Sequence, residues 1–102
     1  MKKLFISQPT RGRTDEQILE ERKKAVEKAI EIMGEPVEVL DTYFEDFKLA
    51  KGKNIPLQYL SKSISFLAEA DVAYFAKGWE NARGCKIEHD CAVAYGIKVI
   101  EA

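Results

Sequence analysis

Short apolar runs alternate along the chain with longer segments in which apolar residues recur every three or four positions. The runs cover residues 4–6, 37–40, 72–76 and 97–100 and are rich in β-prone side chains, so each predicts a strand. The third run is apolar almost throughout, which is typical of a central parallel strand covered by helices on both sides. The pattern therefore predicts four strands.

The segments with helical spacing predict three helices, over residues 15–33, 56–70 and 85–95. Thr14, with Gln17 three residues later, is the signature of a capping box at the start of the first helix. A glycine follows the first and the third segment, as is common at helix C-termini. Residues 42–54 mix aromatic and charged side chains without a clear period, so they predict no element.

Strands and helices that alternate, with no hairpin dipeptide between strands, predict right-handed βαβ units. The expected fold is α/β and forms a single domain over residues 1–102. It is doubly wound and flavodoxin- or Rossmann-like, with an open parallel sheet of about four strands and helices on both faces. Ligands of such sheets bind beyond the carboxyl ends of the strands, where strand order reverses. We therefore expect a site between the loops that follow the first and third strands.

Composition and charge narrow the classes of function. Apolar residues make up 46% and charged residues 32% of the chain, and 16 basic side chains balance 17 acidic ones. This balance argues against duplex nucleic acid as a partner, and no apolar run approaches the roughly 20 residues of a membrane span. The two cysteines diverge around one predicted helix and cannot pair. With no targeting segment recognised, we expect a reduced, cytoplasmic protein without a membrane partner.

The loop after the first strand brings guanidinium groups, hydroxyls and a glycine to the start of a helix. It consists of Ser7, Gln8, Pro9, Thr10, Arg11, Gly12, Arg13 and Thr14. Exposed backbone N–H groups and the helix dipole favour an anion at such a place. The loop lacks the glycine-lysine-serine ending of a Walker loop and the three spaced glycines of a Rossmann fingerprint. A solvated turn that is basic by chance is the alternative interpretation.

Arg22 falls on the apolar stripe of the first helix, near its first turns. One interpretation is an arginine that covers the core with its stem while its charge stays in water. The other is an arginine aimed back at the loop after the first strand.

Glu88 is the second candidate for chemistry. We expect Ile87, Cys91 and Ala94 on the buried side of its helix, with Glu88 off that stripe and beside the small Ala92. The helix dipole is expected to keep the carboxylate ionised. An ionised glutamate in a crevice can attack an anomeric carbon or stabilise an oxocarbenium-like transition state. The alternative is an acid near a helix N-terminus that only improves stability.

The histidine and the cysteines nearby do not form a recognisable metal site. Cys85 and Cys91 point in different directions around the helix, and neither CxxC nor HExxH occurs with His89. Cys85 and His89 have no identifiable third group to orient them as a dyad. We therefore expect no metal and no other cofactor.

Three further residues lie near predicted strand ends. Trp79, in the loop after the third strand, would hang over the crevice and stack on a flat base, or else cover the core or contact a partner. Asp41 follows the second strand and can reach a sugar hydroxyl. Asp71 precedes the third strand, at the end away from the crevice, so we expect a structural role for it.

Several of these residues together resemble a known family. They are residues 5–15, Arg22, Ala70, Asp71, Gly78, Trp79, Gly84, Cys85, Glu88, Ala92 and Gly96. In this spacing they resemble the nucleoside 2-deoxyribosyltransferase-like superfamily, and in particular its short bacterial and phage members of uncharacterised function. The resemblance spans nearly the whole chain and is weakest over residues 42–54.

The resemblance implies an activity and roles for particular residues. In the characterised branches, deoxyribosyltransferases and deoxynucleoside-monophosphate N-glycosidases, a glutamate in a glycine-x3-glutamate-x3-alanine-x3-glycine frame attacks the anomeric carbon of the sugar. Gly84, Glu88, Ala92 and Gly96 fill that frame here. The glycosidases also have a loop after the first strand that contacts the 5′-phosphate, which implies that Arg11 and Arg13 bind phosphate. The expected ligand is a nucleoside or nucleotide, and the expected assembly a homodimer or higher homo-oligomer.

Two positions depart from the family pattern. Six residues before the glutamate the transferases tend to have an aspartate and the glycosidases a serine, where this chain has Ala82. Two residues before it a small side chain is common, where this chain has Lys86. The implied function is cleavage or transfer of an N-glycosidic bond. The alternatives are a nucleotide-binding sensor or regulator without chemistry, and a subunit that only assembles through the second helix and nearby aromatic residues.

Overall fold

The chain alternates strands with helices in this computed structural model, which describes residues 1–40 and 53–102. The elements in chain order are β1 (Lys2–Ser7), α1 (Asp15–Met33), β2 (Val37–Val39), α2 (Ile55–Leu67), β3 (Val72–Phe75), a short 3₁₀ helix (Trp79–Asn81), α3 (Arg83–Ala94) and β4 (Lys98–Glu101). All strand pairs are parallel, in the order β2-β1-β3-β4. The predicted α/β fold with an open parallel sheet is confirmed.

The strand order reverses around β1. β1 pairs with β2 on one side and with β3 on the other, where Leu4 lies opposite Val72 and Ser7 opposite Phe75. The chain therefore crosses β1 between the second and third strands. As expected for such a reversal, the carboxyl ends of β1 and β3 lie side by side, and the loops that follow them meet at one edge of the sheet.

The core lies on both faces of the sheet. Side chains alternate along β1, so Leu4 and Ile6 pack with Ala25 and Ala29 of α1, whereas Phe5 packs with α2 and α3 on the other face. Ser7, two positions beyond Phe5, is buried on that second face. This alternation places a hydroxyl group at the carboxyl end of β1, beside α3.

Local hydrogen bonds fix the ends of α1 and β3 as the sequence predicts. Thr14 and Gln17 form the full capping box, in which each side chain accepts from the other residue's backbone N–H. Asp71 accepts a 2.8 Å hydrogen bond from the backbone N–H of Lys3, at the end of the sheet away from the crevice. The structural role predicted for Asp71 is confirmed.

The prediction for the buried face of α3 is wrong. Ile87 and Ala94 are exposed and Cys91 is half-buried. The buried residues of the helix are Cys85, Glu88 and Ala92. The small side chains of Cys85 and Ala92 let this face of α3 approach the sheet closely, and Glu88 finds polar partners there.

No helix within residues 1–40 and 53–102 combines the length and apolar character needed to cross a membrane.

Candidate functional site

A cleft of about 1020 Å³ opens where the loops after β1 and β3 meet the first half of α2 and the first turns of α3. It lies at the strand-order reversal, the position the sequence predicts for a site. Of the predicted site residues, the cleft is lined by Gln8, Pro9, Arg11, Arg13, Gly84 and Glu88. The volume suits a ligand of the size of a small cofactor or nucleotide.

Glu88 lies in this cleft with its side chain almost completely buried, at 7% relative exposure. The hydroxyl of Ser7 donates a 2.6 Å hydrogen bond to its Oε1 atom. The hydroxyl of Ser63, on α2, donates a further hydrogen bond. The carboxyl group is thus held from β1 and from α2 while it faces the cleft from α3.

Burial raises the pKa of Glu88 from 4.5 to about 7, and the hydrogen bonds from Ser7 and Ser63 oppose the rise because they favour the ionised form. The sequence predicts instead a carboxylate kept ionised by the helix dipole. This expectation is corrected: α3 begins at Arg83, so Glu88 lies in its second turn, where the field of the helix end has weakened. Near neutral pH both forms of Glu88 are populated, as suits a group that exchanges protons.

The two arginines of the loop after β1 differ in their surroundings. The Arg13 guanidinium donates 2.8 Å hydrogen bonds to the carbonyl oxygens of Pro9 and Lys77 and forms an ion pair with Glu21 at 3.2 Å. Arg11 is exposed at the rim of the cleft, and within residues 1–40 and 53–102 no hydrogen bond or ion pair engages its side chain. Arg11 is therefore the more accessible cation for an anionic ligand.

Gln8 connects this loop to α1. Its Nε2 atom donates to the carbonyl oxygen of Ile18 and to Oε1 of Glu21, both at 3.1 Å, and its Oε1 atom accepts from Nη1 of Arg22 at 3.0 Å. The interpretation of Arg22 as an arginine aimed at the loop after the first strand is confirmed. Gln8 thus supports the cleft wall as well as lining it.

Gly12 shapes the loop through its backbone. Its φ of +77° lies in the left-handed region, which a residue with a Cβ rarely adopts. The N–H of Arg13 closes the turn on the carbonyl oxygen of Thr10 at 3.2 Å. Gly12 therefore turns the chain between Arg11 and Arg13, and the two arginine side chains have different neighbours.

Of the predicted site residues that the structure describes, Ser7, Gly12 and Trp79 lie outside the lining of the cleft, and Trp79 packs against the core. Its ring stacks on the ring of His89 with centroids 4.0 Å apart and packs against Phe75 at 5.8 Å. His89 in turn bonds Glu101 of β4 at 2.7 Å. The indole thus helps to hold the 3₁₀ helix against the core, one of the interpretations that the sequence left open.

Two further expectations concern Asp41 and a metal site. Asp41, the candidate for a sugar hydroxyl, lies outside the described residues. Within 1–40 and 53–102, no three histidine, cysteine, aspartate or glutamate residues cluster in a way that could hold a metal ion.

A family model matches residues 2–101, nearly the whole chain, and its description is "Domain of unknown function (DUF4406)". The chain belongs to this family. That description assigns no activity, and neither the search of curated proteins nor that of solved structures returned a match. The function of this DUF4406 domain must therefore be argued from its own residues.

Ser63 is a residue of the DUF4406 cleft that the sequence did not single out, although it contacts Glu88. The apolar stripe of α2 includes Leu60, Ile64 and Leu67, and Ser63 interrupts it at a helical position that faces the same way. A polar residue on an apolar stripe is a weak signal that a buried polar partner exists. The partner, Glu88, comes from another helix, so the pair is visible only in the fold.

The two departures from the deoxyribosyltransferase-like pattern, Ala82 and Lys86, differ in whether they line the cleft. Ala82 lines the DUF4406 cleft with a methyl group, where the characterised branches have a polar side chain. Lys86 is exposed. The first departure therefore alters the surface that a ligand would meet, whereas the charge introduced by the second is directed to solvent.

Proposed function

We propose that this DUF4406 domain cleaves or transfers the N-glycosidic bond of a nucleoside, deoxynucleoside or nucleoside monophosphate, with Glu88 as the nucleophile. One observation carries the proposal: a buried, doubly hydrogen-bonded carboxyl group and an accessible guanidinium, that of Arg11, line the same cleft. The resemblance to deoxyribosyltransferases and nucleotide N-glycosidases supports the same assignment of these two residues.

The proposed reaction uses the ionised form of Glu88. One carboxylate oxygen forms a bond to the anomeric carbon of the sugar while the bond from that carbon to the base nitrogen breaks. The base leaves with the bonding electrons and takes up a proton. Water, or a second base in a transfer reaction, then attacks the anomeric carbon, loses a proton to the solvent and releases the carboxylate. Ser7 holds Oε1 by its hydrogen bond and so orients the carboxylate for this attack.

The test is release of free base. The protein is incubated with a panel of purine and pyrimidine ribo- and deoxynucleosides and their 5′-monophosphates, and the products are separated by chromatography. The proposal expects release of free base from at least one class of substrate. Intact substrate across the whole panel, with and without an acceptor base, would overturn it.

Arg11→Met is expected to weaken the use of monophosphates selectively. Loss of one charge-assisted contact to phosphate should raise KM for a nucleoside monophosphate about tenfold and leave KM for the matching nucleoside unchanged. Steady-state kinetics on both substrates measures the difference. Lys23→Met, which removes an exposed charge from α1, is the control and should change neither value. An equal rise for nucleoside and monophosphate would show that Arg11 does not bind phosphate.

The rate is expected to increase with pH until Glu88 is fully ionised. Because burial raises the pKa of Glu88 to about 7, kcat/KM should rise about tenfold per pH unit below that value and level off above it. Ser7→Ala should move the inflection to higher pH, because the variant loses a hydrogen bond that favours the carboxylate. Ser61→Ala, an exposed change on α2, should leave it in place. A profile that falls as pH rises would contradict a nucleophilic carboxylate.

A nucleotide-binding module without chemistry is the second candidate, favoured by the methyl group that Ala82 presents to the cleft. In that case calorimetry would detect nucleotide binding, Glu88→Ala would leave the affinity unchanged, and no base would be released. Turnover by the unmodified protein excludes this candidate.

A further inference from the structure

The Arg13 guanidinium lies between the two loops that line the cleft after β1 and β3. Its Nη1 atom donates to the carbonyl oxygen of Pro9, in the loop after β1, at 2.8 Å. Its Nη2 atom donates to the carbonyl oxygen of Lys77, in the loop after β3, also at 2.8 Å. One planar side chain therefore joins its own loop to a second loop, in which Lys77 lies 64 residues further along the chain.

A chain of side-chain contacts holds this guanidinium in place. Nε of Arg13 pairs with Oε2 of Glu21 at 3.2 Å, and the side chains of both residues are only 24% exposed. Oε1 of Glu21 accepts from Gln8, and Gln8 accepts from Arg22. Each of the three guanidinium nitrogens of Arg13 thus has a protein acceptor, and α1 supplies the anchor.

The loop after β3 comes close to this guanidinium at Gly78. A Cβ atom at that position would lie 3.6 Å from Nη2 of Arg13 and 3.7 Å from Cγ of Pro9. The φ of Gly78 is +92°, a conformation suited to glycine. The backbone of this loop therefore packs directly against the loop after β1 at the point where Arg13 joins them.

We infer that Arg13 is a positioning residue that holds the loops after β1 and β3 together and so sets the shape of the cleft, whereas anion binding falls to Arg11. The inference about the loops stands on the contacts above, and only its kinetic consequence rests on the proposed function. The fork of a guanidinium suits two carbonyl acceptors, which a single ammonium group cannot reproduce.

Amide hydrogen exchange in the full chain tests the inference without any substrate. The N–H groups of Asn81 and Ala82 bond to Gly78 and Trp79 within the 3₁₀ helix, so their exchange reports opening of the loop after β3. Arg13→Lys and Arg13→Met should both accelerate these two amides about tenfold. The amide of Gly34, which bonds Ile30 at the far end of α1, should not change.

Two variants complete the test. Arg11→Met is the matched control and should leave the exchange of both loop amides unchanged. Glu21→Gln keeps the guanidinium but weakens its anchor, so a smaller acceleration of about threefold is expected. Unchanged exchange in both Arg13 variants would overturn the inference.

Kinetics separate positioning from phosphate binding. If Arg13 positions the loops, Arg13→Lys should lower kcat for a nucleoside and for its monophosphate by the same factor. If Arg13 binds phosphate, the loss of activity should be confined to the monophosphate, and Arg13→Lys should retain more activity than Arg13→Met. Those results would overturn the inference. If the unmodified protein releases no base, the proposed function fails while hydrogen exchange still decides the role of Arg13.

Discussion

Glu88→Gln is expected to reduce release of free base at least about 10³-fold, because the amide cannot attack the anomeric carbon. The substitution preserves the volume of the side chain, and the amide oxygen still accepts the hydrogen bond that Ser7 donates. The cleft should therefore keep its shape and bind substrate, so kcat should carry the loss while KM changes little. Measurement of both constants on the best substrate of the panel checks this expectation.

Glu80→Gln is the matched control for this variant. Glu80 is exposed on the short 3₁₀ helix, outside the described lining of the cleft, so the same chemical change should leave kcat unaltered. Circular dichroism of both variants should match that of the unmodified protein. Undiminished base release by correctly folded Glu88→Gln would exclude Glu88 as the nucleophile.

The second large expected effect concerns the stability of Glu88→Gln, which should increase relative to the unmodified protein as the pH rises. The pKa of Glu88 is raised from 4.5 to about 7 in the folded protein, so between these values the folded state retains a proton that the unfolded chain has lost. This retained proton stabilises the fold fully below pH 4.5, and the stabilisation is lost as the pH rises through about 7. Glutamine does not titrate, so the free energy of unfolding of Glu88→Gln has no such loss over the same pH interval.

The free energy of unfolding of Glu88→Gln, relative to the unmodified protein, should therefore increase by about 2 to 3 kcal/mol between about pH 5 and pH 8. Urea unfolding at several pH values measures the difference, in which the titration of other groups largely cancels. The same difference for Glu80→Gln should stay flat. A flat difference for Glu88→Gln as well would mean that its carboxyl group is not buried as described.

The sequence sufficed to predict the fold class and the place of the cleft, because both follow from local patterns of apolar residues. Alternating apolar runs and helical spacing defined the parallel sheet, and the reversal of strand order located the cleft. The capping box at Thr14 fixed the start of α1 within a residue. These features involve residues that are neighbours in the chain, so their spacing carries the information.

The sequence did not predict how residues from different elements combine. Apolar content suggested Ile87 for the buried face of α3, but close approach to the sheet favours the face of Cys85 and Ala92, and Glu88 is buried because Ser7 and Ser63 satisfy it. Such pairings depend on tertiary contacts between residues far apart in the chain. A pKa set by burial could not be predicted for the same reason.

The loop after β1 is a second example of what the sequence could not predict. Arg11 and Arg13 are two positions apart and look equivalent as phosphate ligands. They differ because Arg13 meets the carbonyl oxygen of Lys77 and the carboxylate of Glu21, which come from other parts of the fold. The sequence pattern identifies a basic loop, whereas the different contacts of its two arginines are a property of the packed structure.

Mass spectrometry of the peptide that contains Glu88 tests the central claim most directly. A substrate with fluorine at the 2′ carbon of the sugar slows breakdown of a covalent intermediate, because the electron-withdrawing atom disfavours the oxocarbenium-like transition state. We predict that one equivalent of base is released and that the mass of this peptide increases by the fluorinated sugar. Base release with an unmodified Glu88 peptide, or with the sugar on another residue, would contradict the account.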